Sequence, residues 1–316
     1  MVSFSPNFSQ AQLVDEFVKR TNLIQDRVRL VSNRHSVGLC LHGRPGTGKT
    51  HTVMSTLEED QEPYVLRNAR MSPVGLFNVF REFPEHIIVI DDVSSILKEP
   101  MAIQILLAAC GGKPNEPRTI YYQTDDREEQ IAFGGGVILI SNSGLSNNDT
   151  VQALASRVTV VHHDIPDQAM EAVLRTKALE TTAIPNEEDR LMVLELVVGF
   201  ARQHGVRLSF RHWYRAVECF RFFQSGKSQS DLKVLIESEI RSSTMLADER
   251  PTKRERTEQE VAFVQERLSS QVDTPSILSQ LKTKFGLGRS TGYKRIEEAK
   301  RRLTQRSEDQ GPAQAL

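Results

Sequence analysis

Cysteine is scarce in this chain of 316 residues: Cys40, Cys110 and Cys219 are odd in number, widely spaced and set among apolar neighbours. That pattern excludes a disulfide framework and a zinc site, and it predicts buried thiols. Long apolar runs are missing as well. Nothing approaches the roughly 18 to 20 uninterrupted apolar residues of a membrane span, so no membrane segment is expected. Met1 to Pro6 has neither a basic n-region nor an apolar h-region, so no secretory signal is read and the expected compartment is the cytoplasm. Internal repeats are absent. Net charge is small too, at −1, with 39% hydrophobic and 26% charged residues. Those values belong to an ordinary globular chain, long enough for two or three domains.

What the chain does have is Gly43-Arg44-Pro45-Gly46-Thr47-Gly48-Lys49-Thr50, which meets every fixed position of the phosphate-cradling loop G-x-x-x-x-G-K-[ST]. Val37 to His42 ahead of it reads as a short buried strand, and His51 to Leu57 behind it reads as the first turns of a helix. Glycines at 43, 46 and 48 let the backbone approach an anion closely at a helix N-terminus. Lys49 then reaches the β- and γ-phosphates, and the Thr50 hydroxyl meets Mg²⁺. The stretch from Gly43 to His51 is therefore the expected nucleotide contact.

Phe8 to Ser32 shows loose helical spacing and predicts one or two helices leading into the nucleotide domain. Beyond the loop, short strands at Tyr64-Val65-Leu66, Ile87 to Ile90 and Val137 to Ile140 alternate with helices over Pro73 to Phe83 and Ala102 to Cys110. Continuous apolar strands alternating with helices predict an α/β fold, a mostly parallel sheet in a three-layer αβα arrangement. From Pro166 the strands stop. Helices are expected near Asp167 to Glu180, Asn186 to His204, Ser209 to Phe223 and Ser230 to Ser243. The expected organisation is thus a helical segment at 1–34, a nucleotide-binding domain at 35–165, a helical lid at 166–246 and a linker at 247–256. A third unit follows at 257–306, with a frayed tail at 307–316.

Three further motifs fall around the loop. Ile87-Ile88-Val89-Ile90-Asp91-Asp92 delivers two carboxylates at a strand end, where Asp91 suits Mg²⁺ and Asp92 suits the attacking water. Val137 to Ile140 leads through Ser141 to Asn142, a polar tip placed to sense the γ-phosphate. Arg157, in Ala153-Leu154-Ala155-Ser156-Arg157-Val158, has the position of an arginine finger. With these in order the chain resembles an AAA+ ATPase over about residues 35 to 245. Leu208-Ser209-Phe210-Arg211-His212-Trp213 resembles that family's sensor-2 helix, which implies Arg211 over the phosphates. The resemblance implies ATP and Mg²⁺ as cofactors, ATP hydrolysis, and a homo-oligomeric ring or filament in which Arg157 acts on a neighbour. Asn68-Ala69-Arg70-Met71-Ser72-Pro73 together with the double Asp is similar to ATPases of phages and mobile elements. Asp92 departs from the usual Glu by one methylene, so hydrolysis used as a slow timer is one consequence.

Charge is lopsided. Leu281 to Arg306 holds nine Lys or Arg against two Glu, which leaves the remainder near −8. Thr257 to Leu268, Pro275 to Phe285 and Ser290 to Leu303 read as three helices, with Gly286-Leu287-Gly288 as the tight turn of a helix-turn-helix module. Phe285, Leu287, Tyr293 and Ile296 are its expected core. Arg289, Ser290, Thr291, Lys294 and Arg295, extended by Lys300, Arg301 and Arg302, are its expected contacts with duplex DNA. The combined expectation is an ATPase assisting replication, recombination or transposition, with a protein partner in a DNA-processing complex. Two alternatives stay open: a protein remodeller recruited through its basic tail, and a DNA-binding regulator switched by ATP. Arg67 to Gly75 offers no pore aromatic, which disfavours a threading unfoldase.

Overall fold

The computed structural model describes residues 9–67, 71–124, 127–144, 148–248, 253–270, 272–285 and 287–309. Asn68, Ala69, Arg70 and the turn residue Gly286, together with residues 310–316 of the expected tail, lie outside these. The backbone divides into two compact units, Met1–Ile240 and Arg241–Leu316.

In the first unit the chain runs α1 (Gln10–Ser32), β1 (Gly38–His42), α2 (Lys49–Glu59), β2 (Tyr64–Arg67), α3 (Pro73–Glu82) and β3 (Ile87–Asp91). It continues through α4 (Pro100–Ala109), the antiparallel pair β4 (Arg118–Thr124) and β5 (Arg127–Phe133), β6 (Gly136–Ser141), α5 (Asp149–Ala155) and β7 (Thr159–His162). Helices α6 (Asp167–Glu180), α7 (Glu187–His204), α8 (Phe210–Gln224) and α9 (Leu232–Asp248) follow, and the division between units falls inside α9.

Five strands pair in parallel in the order β2-β3-β6-β1-β7. Alternate side chains point to opposite faces, and both faces are covered, which is why Ile87 to Ile90 reads as unbroken apolar sequence. Ile88 and Ile90 pack with Leu76, Phe77, Phe80 and Leu106 of α3 and α4. Ile87 and Val89 meet Ile24, Val28, Val53 and Leu57 of α1 and α2 on the other face. This is the expected parallel sheet between helical layers.

The N-terminal helix differs from expectation. Instead of leading into the domain, α1 is a structural layer of it, opened by a capping box between Ser9 and Gln12. Its Ile24, Val28 and Val31 stripe covers the sheet, while Leu13 enters the core formed by α6 to α9. The β4–β5 hairpin lies where no element was expected. Its inner residues Ile120, Tyr122 and Phe133 join the core on the α3 and α4 side, whereas Tyr121 stands 65% exposed. Alternation there is diluted by Arg118, Gln123 and the Arg127-Glu128-Glu129-Gln130 run, which hides the strand period from a sequence reading.

Helices α6 to α9 share a separate core around Met170, Leu174, Leu194, Val197, Trp213 and Ile236. Asn186 caps α7 by accepting from the Glu188 amide, with Glu187, Glu188 and Asp189 in its first turn, and Gly205 ends it in the left-handed region at φ 65°.

The second unit holds α10 (Lys253–Ser269), α11 (Thr274–Phe285) and α12 (Arg289–Asp309). Helix therefore extends into the expected linker from both sides, with 249–252 between, and α12 runs three residues into the expected tail. Val261, Phe263, Val264, Ile277, Leu281, Ile296 and Ala299 form its core, with Phe285 and Leu287 packed against them. Tyr293, expected there, is 45% exposed instead. The helical period of α12 turns Gly292, Ile296 and Ala299 inward, and at Gly292 a Cβ would press on the Leu278 side chain, so glycine leaves room there for close packing of α12 on α11.

Phe80 is fully buried and meets Phe133 edge-on at 4.8 Å, tying the hairpin to the sheet's helical layer. Phe80→Ala is expected to cost about 3–5 kcal/mol, read as a lowered urea midpoint with little change in the denaturant slope.

Candidate phosphate-binding site

The loop between β1 and α2 sits at the carboxyl ends of the parallel strands, where Asp91, Asn142 and His163 also emerge. Gly48 is the N-cap of α2 with φ 90°, a left-handed conformation that glycine takes without strain. Helix α2 therefore opens at Lys49, and its first amides have no intrahelical acceptor. At Gly43 a Cβ would collide with the His163 carbonyl oxygen, so glycine is required for close approach to the end of β7. His163, buried, bonds the Thr47 carbonyl through Nε2 at 3.1 Å. Burial pushes its pKa down to about 4, which keeps the ring neutral and the loop braced from beneath.

Lys49 is only 4% exposed. Its Nζ donates to the Gly43 carbonyl at 2.7 Å, the Arg44 carbonyl at 2.8 Å and Asn142 Oδ1 at 3.3 Å. None of these acceptors carries a full charge. Burial accordingly lowers the ammonium pKa to about 8, with Arg211 adding to the effect and Asp91 and Asp164 opposing it. Thr50 Oγ1 donates to Asp91 Oδ2 at 2.9 Å, which places a hydroxyl and a carboxylate side by side. Asp91 Oδ1 accepts from the Asp92 amide at 2.9 Å.

A cleft of about 460 Å³ opens over these groups. Gly46, Gly48, Lys49, Thr50 and His51 form its floor, Asp91 and Asn142 one wall, and α8 the other. From α8 come Phe210, Tyr214 and Glu218 at i, i+4 spacing and, beside them, Arg211 and Arg215. Of the expected site residues, the structure thus brings together Gly46, Gly48, Lys49, Thr50, His51, Asp91, Asn142 and Arg211.

Several others stand elsewhere. Thr47 is buried with Oγ1 turned onto the Arg44 carbonyl, so only its backbone faces the loop's concavity. Pro45 is exposed. The Arg44 side chain points away to Asp167 and Ile165. Asp92 has φ 56° and accepts from Ser94 Oγ, outside the cleft lining. Arg157 is exposed in the turn after α5 and donates to the Ala153 carbonyl of that helix, also outside the lining.

In the second unit the expected DNA contacts divide in two. Arg289, Ser290, Lys294, Lys300 and Arg301 are exposed on α12 and Thr291 is half-buried. Arg295 differs: it turns inward, donating to the almost fully buried Glu260 at 2.7 Å and to Thr257 at 3.0 Å. Helical spacing places Arg295 on the Ile296 side of α12, where a buried carboxylate claims it. Arg302 pairs with Glu298 one turn away.

Sequence reading missed Tyr214, Arg215 and Glu218 in the cleft, and His163 beneath the loop. The first three follow from Arg211 by continuing the α8 stripe one and two turns. His163 carries no sequence signal, since its role comes from the register that sets His162 opposite His42.

A strand, a glycine-rich loop and a helix with Lys49, Thr50 and Asp91 converging on one cleft define the class, an α/β protein built around a phosphate-binding-loop unit. No protein-family model matches the chain. Over 167 residues, 50% of this chain, the sequence is 30% identical to the Cell division control protein 48 homolog B of Arabidopsis thaliana, of whose length the match covers 25%. Two solved structures of Thermotoga maritima RuvB mutants share 14% identity with it. One match covers 71% of this chain and 68% of that one at a TM-score of 0.45. The other covers 90% and 85% at 0.43. Among the described residues no helix is long and apolar enough to cross a membrane, and no group of three or more His, Cys, Asp or Glu side chains is placed to hold a metal.

The lowered Lys49 pKa has a signed consequence. Between about pH 8 and the unfolded value of 10.5 the unfolded chain binds the extra proton, so Lys49 makes stability rise with pH across that window. Chemical denaturation at several pH values is expected to show this slope in the wild type and a shallower one in Lys49→Met.

Proposed function

We propose that this protein is an AAA+ ATPase that binds and hydrolyses ATP with Mg²⁺ and uses the cycle in assembly or remodelling on duplex DNA. The observation that carries the reading is Lys49: a buried ammonium, satisfied only by neutral oxygens, on the floor of a cleft that also presents Thr50, Asp91, Asn142 and Arg211. Such a group gains most from a polyanion. The order of motifs along the chain and the similarity of half of this chain to the Arabidopsis protein support the family.

The residues fit the cofactors. Thr50 and Asp91 supply two adjacent hard oxygens, the donor type that Mg²⁺ takes while keeping several waters. When bound, the ion neutralises charge developing on the phosphates. Lys49 and the first amides of α2 would hold the β- and γ-phosphates, and Asn142, which accepts from the Lys49 amine, would sense the γ-phosphate. Asp92 orients the attacking water after turning from Ser94, a rotation its exposed position permits. Arg211 reaches from the lid, and Arg157, exposed and outside its own cleft, serves a neighbouring subunit of a homo-oligomer. Lys49→Ala is expected to abolish ATP binding in calorimetry. Asp92→Asn is expected to retain binding but lose most turnover, about 10²-fold or more, in a phosphate-release assay. Titrating Arg157→Ala subunits into wild type is expected to depress activity below simple dilution.

The second unit is proposed as a helix-turn-helix module that docks α12 on duplex DNA through Arg289, Ser290, Lys294, Lys300 and Arg301, with Arg295 as an internal brace. Affinity of the full chain for a duplex, measured by anisotropy, should fall steeply with salt. Lys294→Ala should weaken binding and flatten the log–log salt slope by about 1, whereas Arg295→Met should lower the stability of this unit.

A further inference from the structure

The loop and the lid are joined by a polar node that the phosphate-binding residues do not use. Arg44 is the second residue of the glycine-rich loop, yet its side chain is 12% exposed and leaves the cleft altogether. Nη1 donates to Asp167 Oδ1 at 2.8 Å, Nη2 donates to the Ile165 carbonyl at 2.6 Å, and Nε lies 3.5 Å from Asp164 Oδ1. Asp167 stands in the first turn of α6. The same Oδ1 accepts from the Leu208 amide at 3.1 Å, and Arg207 lies within 3.7 Å of Oδ2. A single carboxylate thus gathers the loop, the start of α6 and the segment that leads into α8.

A second tie lies two residues along. The Phe210 amide donates to the Gly46 carbonyl at 2.9 Å, and Ser209 sits directly over Gly46. The first tie runs from the Arg44 side chain through the start of α6 to Leu208, and the second from the Gly46 carbonyl to Phe210. Arg211, the lid residue that lines the cleft above Lys49, follows immediately. A shift of the loop therefore reaches Arg211 through the Arg44–Asp167 pair with its Leu208 hydrogen bond and through the Phe210–Gly46 hydrogen bond.

We infer that Arg44, through Asp167, is a positioning residue that sets Arg211 over the phosphates and passes the loop's occupancy to the lid. The inference rests on the nucleotide reading for its trigger, but the clamp itself exists without any ligand. The choice of arginine is explained by geometry: a planar guanidinium meets a carboxylate and a carbonyl at once, whereas a lysine offers a single point. Losing Arg44 unfastens Asp167 from the loop while Arg207 stays beside the carboxylate, so the Leu208 and Phe210 hydrogen bonds open more often while the core of α6 to α9 is kept. Uncoupling is therefore the expected outcome, rather than collapse of the lid.

Hydrogen exchange of the Leu208 and Phe210 amides in the full chain tests this, without nucleotide and with saturating ATP. Fluorescence of Trp213, the single tryptophan, serves as the check on folding. In the nucleotide-free protein, Arg44→Met should speed exchange at Leu208 and Phe210 about tenfold while α7 is unaffected. ATP should slow these amides in the wild type. In Arg44→Met, ATP should still bind within about threefold of wild-type affinity yet no longer slow them. Arg44→Lys, which is also the fallback should Arg44→Met not fold, should restore part of the protection, and Asp167→Asn should behave like Arg44→Met. Unchanged nucleotide-free exchange in Arg44→Met, or full ATP protection in that variant, would overturn the inference. If the wild type shows no ATP binding in calorimetry, the nucleotide reading falls with the proposed trigger, while the nucleotide-free contrast still decides whether Arg44 holds the lid.

Discussion

Everything around the site is arranged by one unfavourable placement, the Lys49 ammonium buried at the mouth of α2 against three neutral oxygens. A cation in such surroundings loses hydration that carbonyl and amide dipoles replace only in part, and its pKa falls to about 8 as a result. The loop must hold its shape against that cost. His163 braces Thr47 from below, Thr47 ties back to Arg44, and the Gly43 amide donates to the Ser141 carbonyl at the tip of β6. Two of these braces, from His163 and Ser141, come from the carboxyl ends of parallel strands, so the sheet order helps make the loop rigid enough to keep an amine out of water.

The same placement accounts for the other charges nearby. Asp91 is close enough to favour the protonated amine but bonds Thr50 and the Asp92 amide rather than Lys49, which leaves the ammonium with neutral acceptors in place of a carboxylate. Arg211 works in the opposite direction, raising the positive potential over the cleft. A cleft lined by Lys49, Arg211 and Arg215 over a helix N-terminus attracts phosphate. Burial keeps His212 on α8 neutral as well, with its pKa lowered to about 4, so this ring adds no further charge near pH 7.

Sequence and structure agree best on the placement of residues whose position is set by neighbours along the chain. The loop from Gly43 to Thr50, the Asp91 strand tip and the Asn142 strand tip depend on local strand–turn geometry, and apolar runs such as Ile87 to Ile90 announce strands buried on both faces. Roles set by partners far along the chain were not legible. Arg44 reads as a phosphate contact until Asp167 appears beside it, and Arg295 reads as a DNA contact until Glu260 does. Tyr293 follows the helical period closely enough to pass for core, yet α12 meets α11 through Gly292 and Ile296, which turns the ring outward. The β4–β5 hairpin was hidden because polar residues dilute its alternation and its inner face mixes Ile120, Tyr122, Ile131 and Phe133 with the buried Arg118.

The most direct test of the buried, partly neutralised Lys49 is calorimetric titration of the full chain with Mg·ATP at pH 8.5, in two buffers of different ionisation enthalpy. Polyphosphate returns the amine to its charged form, so the account expects net proton uptake on binding at pH 8.5 and almost none from this group at pH 7, because Lys49 is already charged there. Binding at pH 8.5 with no proton uptake, or no binding at either pH, would contradict it.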